Sequence, residues 1–504
     1  MPLRTLAAAS RRAFDERPLV VIPIVGAALR LIAAIFSRGF FTIDDHHVLI
    51  DTADRVARGV PLPVNYGRSI LYPGSVALIM DAVRAVAQAS PAVEMAVVRL
   101  VHGAFSVLSV YFAYRILEHV AGREAARVGG LLLATFYLLP ATSVHQFEEA
   151  VCQVPILASC WWLLKADEPA RGAGLWSFLS GAAIATSLLI RFPALPYVVA
   201  FVAVALWRPA ARSSKLSFAL GVLLVLALQA ASNVVINGDP LYYLFRTARH
   251  RAGLGGGYPT APFWKYAVTL VAAFLPPFSL LFLAAAIRGA KRFALLGIPA
   301  LAFLVGTSLV PNKQERFLLP VLPVLLILGA IGLPAVRDWF ARRGWTRAYN
   351  WSWGYFAVVN AALLGVGVFS YGKKDRVAPL VYLEHRHDAT GIVEAQFTYG
   401  FPVPGYYLGR SRPAVFVFED RGRLAADIAT AHLAGQPVNY VVLYSDSLEA
   451  DTALLERTLG RTLVVRTTIS PSLGDDLAHF INPHRNHATR AVVLSVQPLP
   501  AASP

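Results

Sequence analysis

Phe40-Phe41-Thr42-Ile43-Asp44-Asp45-His46-His47 closes the first hydrophobic segment of the chain and turns it acidic within a few residues. A carboxylate is costly in hydrocarbon, so acids at the edge of a span mark both an exit from the bilayer and a candidate site. The chain around this stretch is 504 residues long, 56% hydrophobic and only 15% charged. Its mean hydropathy is +0.54. A soluble globule cannot cover that much apolar surface, so the composition predicts a polytopic α-helical membrane protein.

A crossing needs roughly 20 apolar residues. The apolar runs predict about 11 transmembrane helices, near 19–36, 93–116, 126–142, 150–165, 175–191, 193–208, 216–236, 263–287, 293–310, 317–336 and 351–371. Residues 69–89 are fairly apolar but carry Asp81 and Arg84, and are expected to lie in the interface. That choice gathers Arg4, Arg11, Arg12, Arg17, Arg288, Lys291, Arg292, Arg342 and Arg343 on one side, the cytoplasmic one by the positive-inside rule. The expected orientation is N-terminus cytoplasmic and C-terminus extracytoplasmic, in the inner or plasma membrane. The first span reads as a retained helix, without a cleavage site.

The net charge of +16 comes largely from those cytoplasmic loops. It implies contact with anionic membrane lipid and no nucleic-acid partner. Cys152 and Cys160 are the only cysteines, too far apart along one helix for a disulfide. Two domains are expected: 1–372 within the membrane, then 373–504, an extracytoplasmic α/β domain. In the latter, strand-like Val415–Phe418, Tyr440–Tyr444 and Leu463–Val465 alternate with helical Leu424–Leu433 and Leu448–Leu459.

The candidate polar segments all fall in the outer loops of this topology. The first holds Asp44, Asp45, His46, His47, Asp51 and Asp54, then Arg68, Ser69 and Tyr72. The second holds His145, Glu148 and Glu149. A third carries Asp239, Tyr242, Tyr243, Arg246, Arg249 and Arg251, and the last Lys313, Glu315 and Arg316. A carboxylate at Asp44 or Asp45 can serve as general base, or simply cap a helix. With His46 and His47 these acids are also compatible ligands for a divalent cation, which the sequence neither requires nor excludes. Arg316 and Lys313, and the group Arg246, Arg249 and Arg251, suit phosphate recognition; interfacial snorkelling is the plainer alternative.

Weaker signals are set aside. Arg30, Arg99, His102 and Arg191 lie within spans and are expected to be satisfied in the interior. His385-Arg386-His387-Asp388 and His484-Arg485-Asn486-His487 only superficially resemble metal ligands. Gly253–Gly257 lacks the context of a nucleotide-binding loop.

Three segments together resemble glycosyltransferase family 22, the mannosyltransferases of N-glycan and GPI-anchor assembly that use dolichyl-phosphate mannose. Ile43-Asp44-Asp45 and Val48-Leu49-Ile50-Asp51 stand where that family has Pro-Asp-Glu and Gln-x-x-Glu. Gly67-Arg68-Ser69-Ile70-Leu71-Tyr72-Pro73 matches its Arg-Ser followed by an aromatic and a proline. Asn312-Lys313-Gln314-Glu315-Arg316-Phe317-Leu318-Leu319-Pro320 matches its His-Lys-Glu-x-Arg-Phe-Leu-x-Pro signature. Aspartate replaces glutamate at 45 and 51, Ile43 replaces proline, and Asn312 replaces histidine, the marks of a divergent, bacterial-type member.

The resemblance implies a C-type (GT-C) glycosyltransferase that inverts the anomeric carbon. Its donor would be a polyprenyl-phosphate sugar, with mannose the expected sugar, and its acceptor a lipid-linked or other glycan. Asp44 would be the base, with Asp45 second. Arg316, with Arg68 and Lys313, would steady the departing phosphate, and Arg246 and Arg249 could assist. Asp51, Ser69, Tyr72, Glu148, Glu149, Asp239, Tyr242 and Glu315 are the expected substrate contacts. A flippase for lipid-linked saccharides and a non-catalytic component of envelope assembly are the competing classes.

Overall fold

The computed structural model describes residues 14–62, 68–168, 172–246, 260–426, 428, 437–484 and 486–497. They fall into two compact units. One is drawn from Met1–Ala34, Gly59–Ser75 and Arg99–Val368, the other from Ile35–Arg58, Val76–Val98 and Phe369–Pro504.

The first unit is helical. Among the described residues six helices are long and apolar enough to cross a membrane: Pro18–Phe36, Pro91–Thr135, Ala173–Ile190, Arg212–Asn237, Leu322–Arg342 and Thr346–Val368. Phe192–Trp207 and Ala294–Leu309 are apolar but shorter. Residues 93–116 and 126–142, expected as two spans, run within one 45-residue helix that leaves helical geometry at Gly122, with φ of +83°. The chain doubles back there. A Cβ on Gly129 would lie 2.2 Å from Leu117, and one on Gly130 3.3 Å from Tyr114. The second arm ends at Thr135, earlier than expected. Asn360 stabilises the break, donating to the Thr135 carbonyl and accepting from Tyr137 N–H, both at 2.9 Å.

Two expected spans change shape. Residues 263–287 are not one straight helix: Lys265–Ala273 and Phe278–Arg292 meet at 112°. Pro276 and Pro277 lie between them and have no N–H to continue the ladder. The expected 317–336 span starts later, as Leu322–Arg342, because Glu315–Leu318 forms a 3-10 turn ahead of it and Pro323 sits in its first turn. Residues 69–89 hold a 16-residue helix, Leu71–Val86.

Lipid tails are as apolar as leucine, so helices in a bilayer associate through close backbone packing at small residues. A Cβ on Gly181 would sit 2.0 Å from the Phe218 carbonyl, and one on Gly221 2.1 Å from that of Phe178. Gly289 and Gly332 make the same approach: a Cβ on either would lie 1.9 Å from a carbonyl of the facing helix. Outward, large apolar side chains such as Leu220, Leu223 and Val235 are exposed, as a lipid-facing surface demands. Cys152 and Cys160 are buried free thiols.

The second unit centres on a five-stranded sheet. Its strands are β3 (Gly391–Gln396), β4 (Ala414–Phe418), β5 (Tyr440–Tyr444), β6 (Thr462–Ile469) and β7 (Ala491–Gln497), after a short parallel pair, β1 (Arg38–Gly39) and β2 (Tyr371–Gly372). The sheet order is β4-β3-β5-β7-β6. The three parallel strands come first, and β7 runs antiparallel to both neighbours. β3 and β5 are buried along their whole length, as strands covered on both faces must be. Helical Leu448–Leu459 appears as expected, whereas the expected Leu424–Leu433 lies mostly outside the described residues. The β1–β2 pair joins the first loop to the start of the C-terminal region. A Cβ on Gly39 would meet the Gly372 carbonyl at 1.9 Å.

On β3, Glu394 is completely buried. Burial pushes its carboxyl up to about 7, against the opposing pull of the Arg376 guanidinium, which lies 3.8 Å over the Tyr444 ring.

Two outcomes follow from this packing. Gly221→Val should overpack the facing helices and lower the thermal midpoint in detergent by about 5 °C or more; an unchanged midpoint would contradict the contact. For Glu394, the folded state retains a proton between about pH 4.5 and 7 that the unfolded chain has released, so its contribution falls as pH rises through that window. Glu394→Gln should therefore gain stability over the parent at pH 8, on the order of 3 kcal/mol, and the gain should vanish below about pH 4.5. Denaturation of both proteins across that range measures it, and a pH-independent difference would refute the buried acid.

Candidate active site

Within the first unit, four of the sequence-selected residues converge with a fifth. Glu148 and Glu149 open a short helix, Glu148–Val151, and both are buried rather than solvated. Arg191 ends the Ala173–Ile190 helix in extended geometry and reaches both acids. Its Nη1 donates to Glu148 Oε2 and its Nη2 pairs with Glu149 Oε1, each at 2.8 Å. Arg68 Nη1 donates to Glu148 Oε1 at 3.3 Å. Arg316 Nε lies 3.6 Å from Glu149 Oε1 and donates to Gln314 Oε1 at 2.8 Å. The Phe317 ring packs against both Arg191 and Arg316.

This network holds three guanidiniums and two carboxylates, a net charge of +1 in a largely water-excluded place. Buried carboxylates cost several kcal/mol each unless paired, so the two glutamates hold the arginines and are held by them. The excess charge and the forked donors suit a phosphate. From sequence alone Arg191 reads as an ordinary interior arginine. Its one local signal is its place directly before the Phe192-Pro193 turn, where the helix must end.

Other expected contacts in this unit have partners within the fold. Ser69 Oγ donates to Gln229 at 2.6 Å, and Tyr72 OH bonds His102 Nε2 at 2.8 Å. Arg99 donates to the Ala34 carbonyl at 2.9 Å, and Arg30 to Ser106 at 2.7 Å, so these interior residues are satisfied as expected. Lys313 departs most from expectation. Its Nζ donates to the Val310 and Ala261 carbonyls at 2.6 and 3.1 Å, beside the Thr260–Asn312 bridge. Burial, with Lys265 nearby, lowers its pKa. That ammonium closes a loop. Glu315 is well exposed and pairs with Lys265 at 2.7 Å. Asp239 accepts from Leu241 N–H within its own turn, Tyr242 is half-buried and Arg246 exposed. Arg249 and Arg251 lie outside the described residues.

Within the second unit, Asp44 and Asp45 sit at the start of a turn that winds into a π-helix, Asp45–Ile50, and continues as Asp51–Ala57. Asp45 is buried, and its Oδ2 accepts from Thr42 N–H at 3.1 Å, the backward reach of a capping box. Asp44 makes no cap hydrogen bond and stays partly exposed. The two carboxylates thus divide: Asp45 braces the turn, and Asp44 is the accessible one. Asp51 lies against both histidines, 3.2 Å from His47 Nδ1 and 3.7 Å from His46 Nε2. Burial depresses the His46 pKa to about 3, with His47 adding to the shift and Asp51 opposing it.

One turn further on is a cluster that sequence reasoning missed. Buried Asp54 pairs with Arg58, Arg84 and Arg412, and Arg84 also bonds Glu94 at 2.8 Å. Tyr406 OH donates to the same Glu94 carboxylate at 2.8 Å. These groups line a cavity of about 620 Å³. Contacts between residues more than 300 positions apart leave no local trace in sequence.

Comparison with known proteins agrees with this fold and these motifs. Residues 24–390 match the model of the Alg9-like mannosyltransferase family. No curated protein matches the sequence. Among solved structures, the chain is similar to ArnT from Cupriavidus metallidurans bound to undecaprenyl phosphate. The TM-score is 0.56 at 15% identity, covering 95% of this chain and 98% of that one. It is also similar to the apo oligosaccharyltransferase of Archaeoglobus fulgidus, with TM-score 0.54, 12% identity and coverage of 88% and 71%. The mycobacterial arabinofuranosyltransferase AftD gives TM-score 0.51 at 14% identity over 96% of this chain, which spans only 40% of that one. The chain belongs to the Alg9-like mannosyltransferase family, and is an integral membrane glycosyltransferase of the GT-C fold.

Proposed function

We propose that the enzyme transfers a sugar, with mannose the expected one, from a polyprenyl-phosphate carrier to a lipid-linked or other glycan acceptor on the extracytoplasmic side. The observation that carries this reading is the network of Arg68, Arg191 and Arg316 around Glu148 and Glu149, with more positive than negative charge. A carrier phosphate supplies the missing anion. ArnT, similar in fold, binds undecaprenyl phosphate, which supports the same class of donor here. Orientation rests on the cationic loops at 288–292 and 337–347, placed in the cytoplasm with the N-terminus. The C-terminal domain is then extracytoplasmic.

The reaction is a single displacement. The acceptor hydroxyl oxygen attacks the anomeric carbon as Asp44 takes its proton, and the bond from that carbon to the phosphate oxygen breaks. The electron pair leaves with the polyprenyl phosphate, whose growing charge Arg316 and Arg68 offset. The leaving group is an anion already, so no general acid is needed. The charged cavity beside Asp54 and Arg84 offers the mixed donors and acceptors that saccharide hydroxyls require, and we assign the acceptor glycan to it.

Asp44→Asn should lower the transfer rate by about 10²–10⁴ while donor binding is retained; retained transfer would remove Asp44 from the base role. Arg316→Lys keeps the charge and loses the planar fork. It should raise the KM for donor about tenfold, equivalent to one lost charge-assisted hydrogen bond. Steady-state assays with polyprenyl-phosphate mannose read this directly, and an unchanged KM would exclude a bidentate clamp.

A further inference from the structure

The π-helical turn after Asp44 brings three side chains together whose arrangement the proposed displacement leaves unexplained. His46, His47 and Asp51 each offer one ligand atom, and the three atoms lie within 4.8 Å of one another. In i→i+5 winding, residues four and five apart fall on the same face. Both histidines therefore flank the one carboxylate, His47 Nδ1 at 3.2 Å from Oδ2 and His46 Nε2 at 3.7 Å from Oδ1.

The plain alternative is a hydrogen-bonded His47–Asp51 pair one turn apart. It accounts for His47 and leaves His46 unexplained. The His46 side chain is 0% exposed, and neither ring nitrogen has a hydrogen-bond partner among the described residues. A buried imidazole with both nitrogens unmet forfeits the hydrogen bonds it made to water, a cost that a ligand would remove. Packing does not relieve that cost. The ring is stacked between Phe40 at 5.0 Å and Tyr407 at 5.4 Å, faces that hold its plane without bonding its nitrogens. The ring is thereby oriented with Nε2 toward Asp51.

We propose that His46, His47 and Asp51 bind a divalent cation of the zinc type. Two imidazole nitrogens and one carboxylate oxygen are a borderline ligand set of the kind zinc prefers, with a fourth position open. Tetrahedral ligands at about 2.0–2.2 Å from an ion stand roughly 3.3–3.6 Å apart. The distances of 3.2 Å to Oδ2 and 3.7 Å to Oδ1 run to different oxygens of Asp51, and with one atom from each residue the three lie within 4.8 Å, so the ligands draw slightly together on binding. The Asp51 side chain is 37% exposed, so an ion can reach the site from solvent. A bound cation gives His46 a partner and fixes the turn that carries Asp44, a role independent of which sugar, donor or acceptor the enzyme uses.

The test uses the full chain in detergent, without a polyhistidine tag, stripped by chelator and dialysed against zinc alone. Elemental analysis should find one zinc per chain, with nitrogen and oxygen neighbours at about 2.0–2.1 Å by X-ray absorption. Zinc should also raise the thermal midpoint of the parent. Asp51→Asn and His47→Gln alter partly exposed side chains, and should weaken zinc binding at least tenfold while keeping the parent's metal-free midpoint. Absence of zinc from the parent, or equal zinc content in parent and Asp51→Asn, would overturn the site. Loss of sugar transfer in Asp44→Asn with zinc retained would separate this claim from that of the catalytic base.

Discussion

The buried pairing of Arg191 with Glu148 and Glu149 is the interaction on which the first unit turns. Burying these charges is costly unless they pair with one another, so each accounts for the others. The pairing fixes the start of one helix and the end of another. It also holds the loop of Arg316 through Glu149 and the segment of Arg68 through Glu148. Four stretches distant in sequence are brought to one charged point in an otherwise apolar helical body.

Glycine contacts do the complementary work in the lipid-facing part. Where Gly181 meets Phe218 and Gly289 meets Leu328, backbones approach to a distance no side chain permits. Dispersion and backbone contact replace the hydrophobic effect, which has little to act on between helices in lipid. The helices held this way carry the polar network at their ends. The second unit uses ordinary sheet chemistry instead, with parallel strands buried on both faces and a carboxylate at Glu394 held near neutrality.

Much of this was legible in the sequence, and for identifiable reasons. Helices follow from long apolar runs, and the motif segments around Asp44, Arg68 and Arg316 carry a family likeness that the match over residues 24–390 bears out. The hidden part is long-range. Arg191 looks like any arginine near a span until its partners are known, and Lys313 looks like a phosphate ligand until two carbonyls claim it. The division of labour between Asp44 and Asp45 depends on a π-helical register that no periodicity announces. The bend at Pro276-Pro277 could have been anticipated from the missing N–H groups. β3 and β7 passed unnoticed because short buried strands have no period to read.

An enzyme that breaks the sugar–phosphate bond differs from a protein that merely carries the lipid across. The most direct measurement is phosphorus NMR on the purified chain in liposomes, supplied with polyprenyl-phosphate mannose and glycan acceptors. The account predicts that the donor phosphodiester becomes a monoester in step with a new glycosidic bond of inverted anomeric configuration. Translocation of intact donor without monoester, or a product that retains configuration, would contradict it.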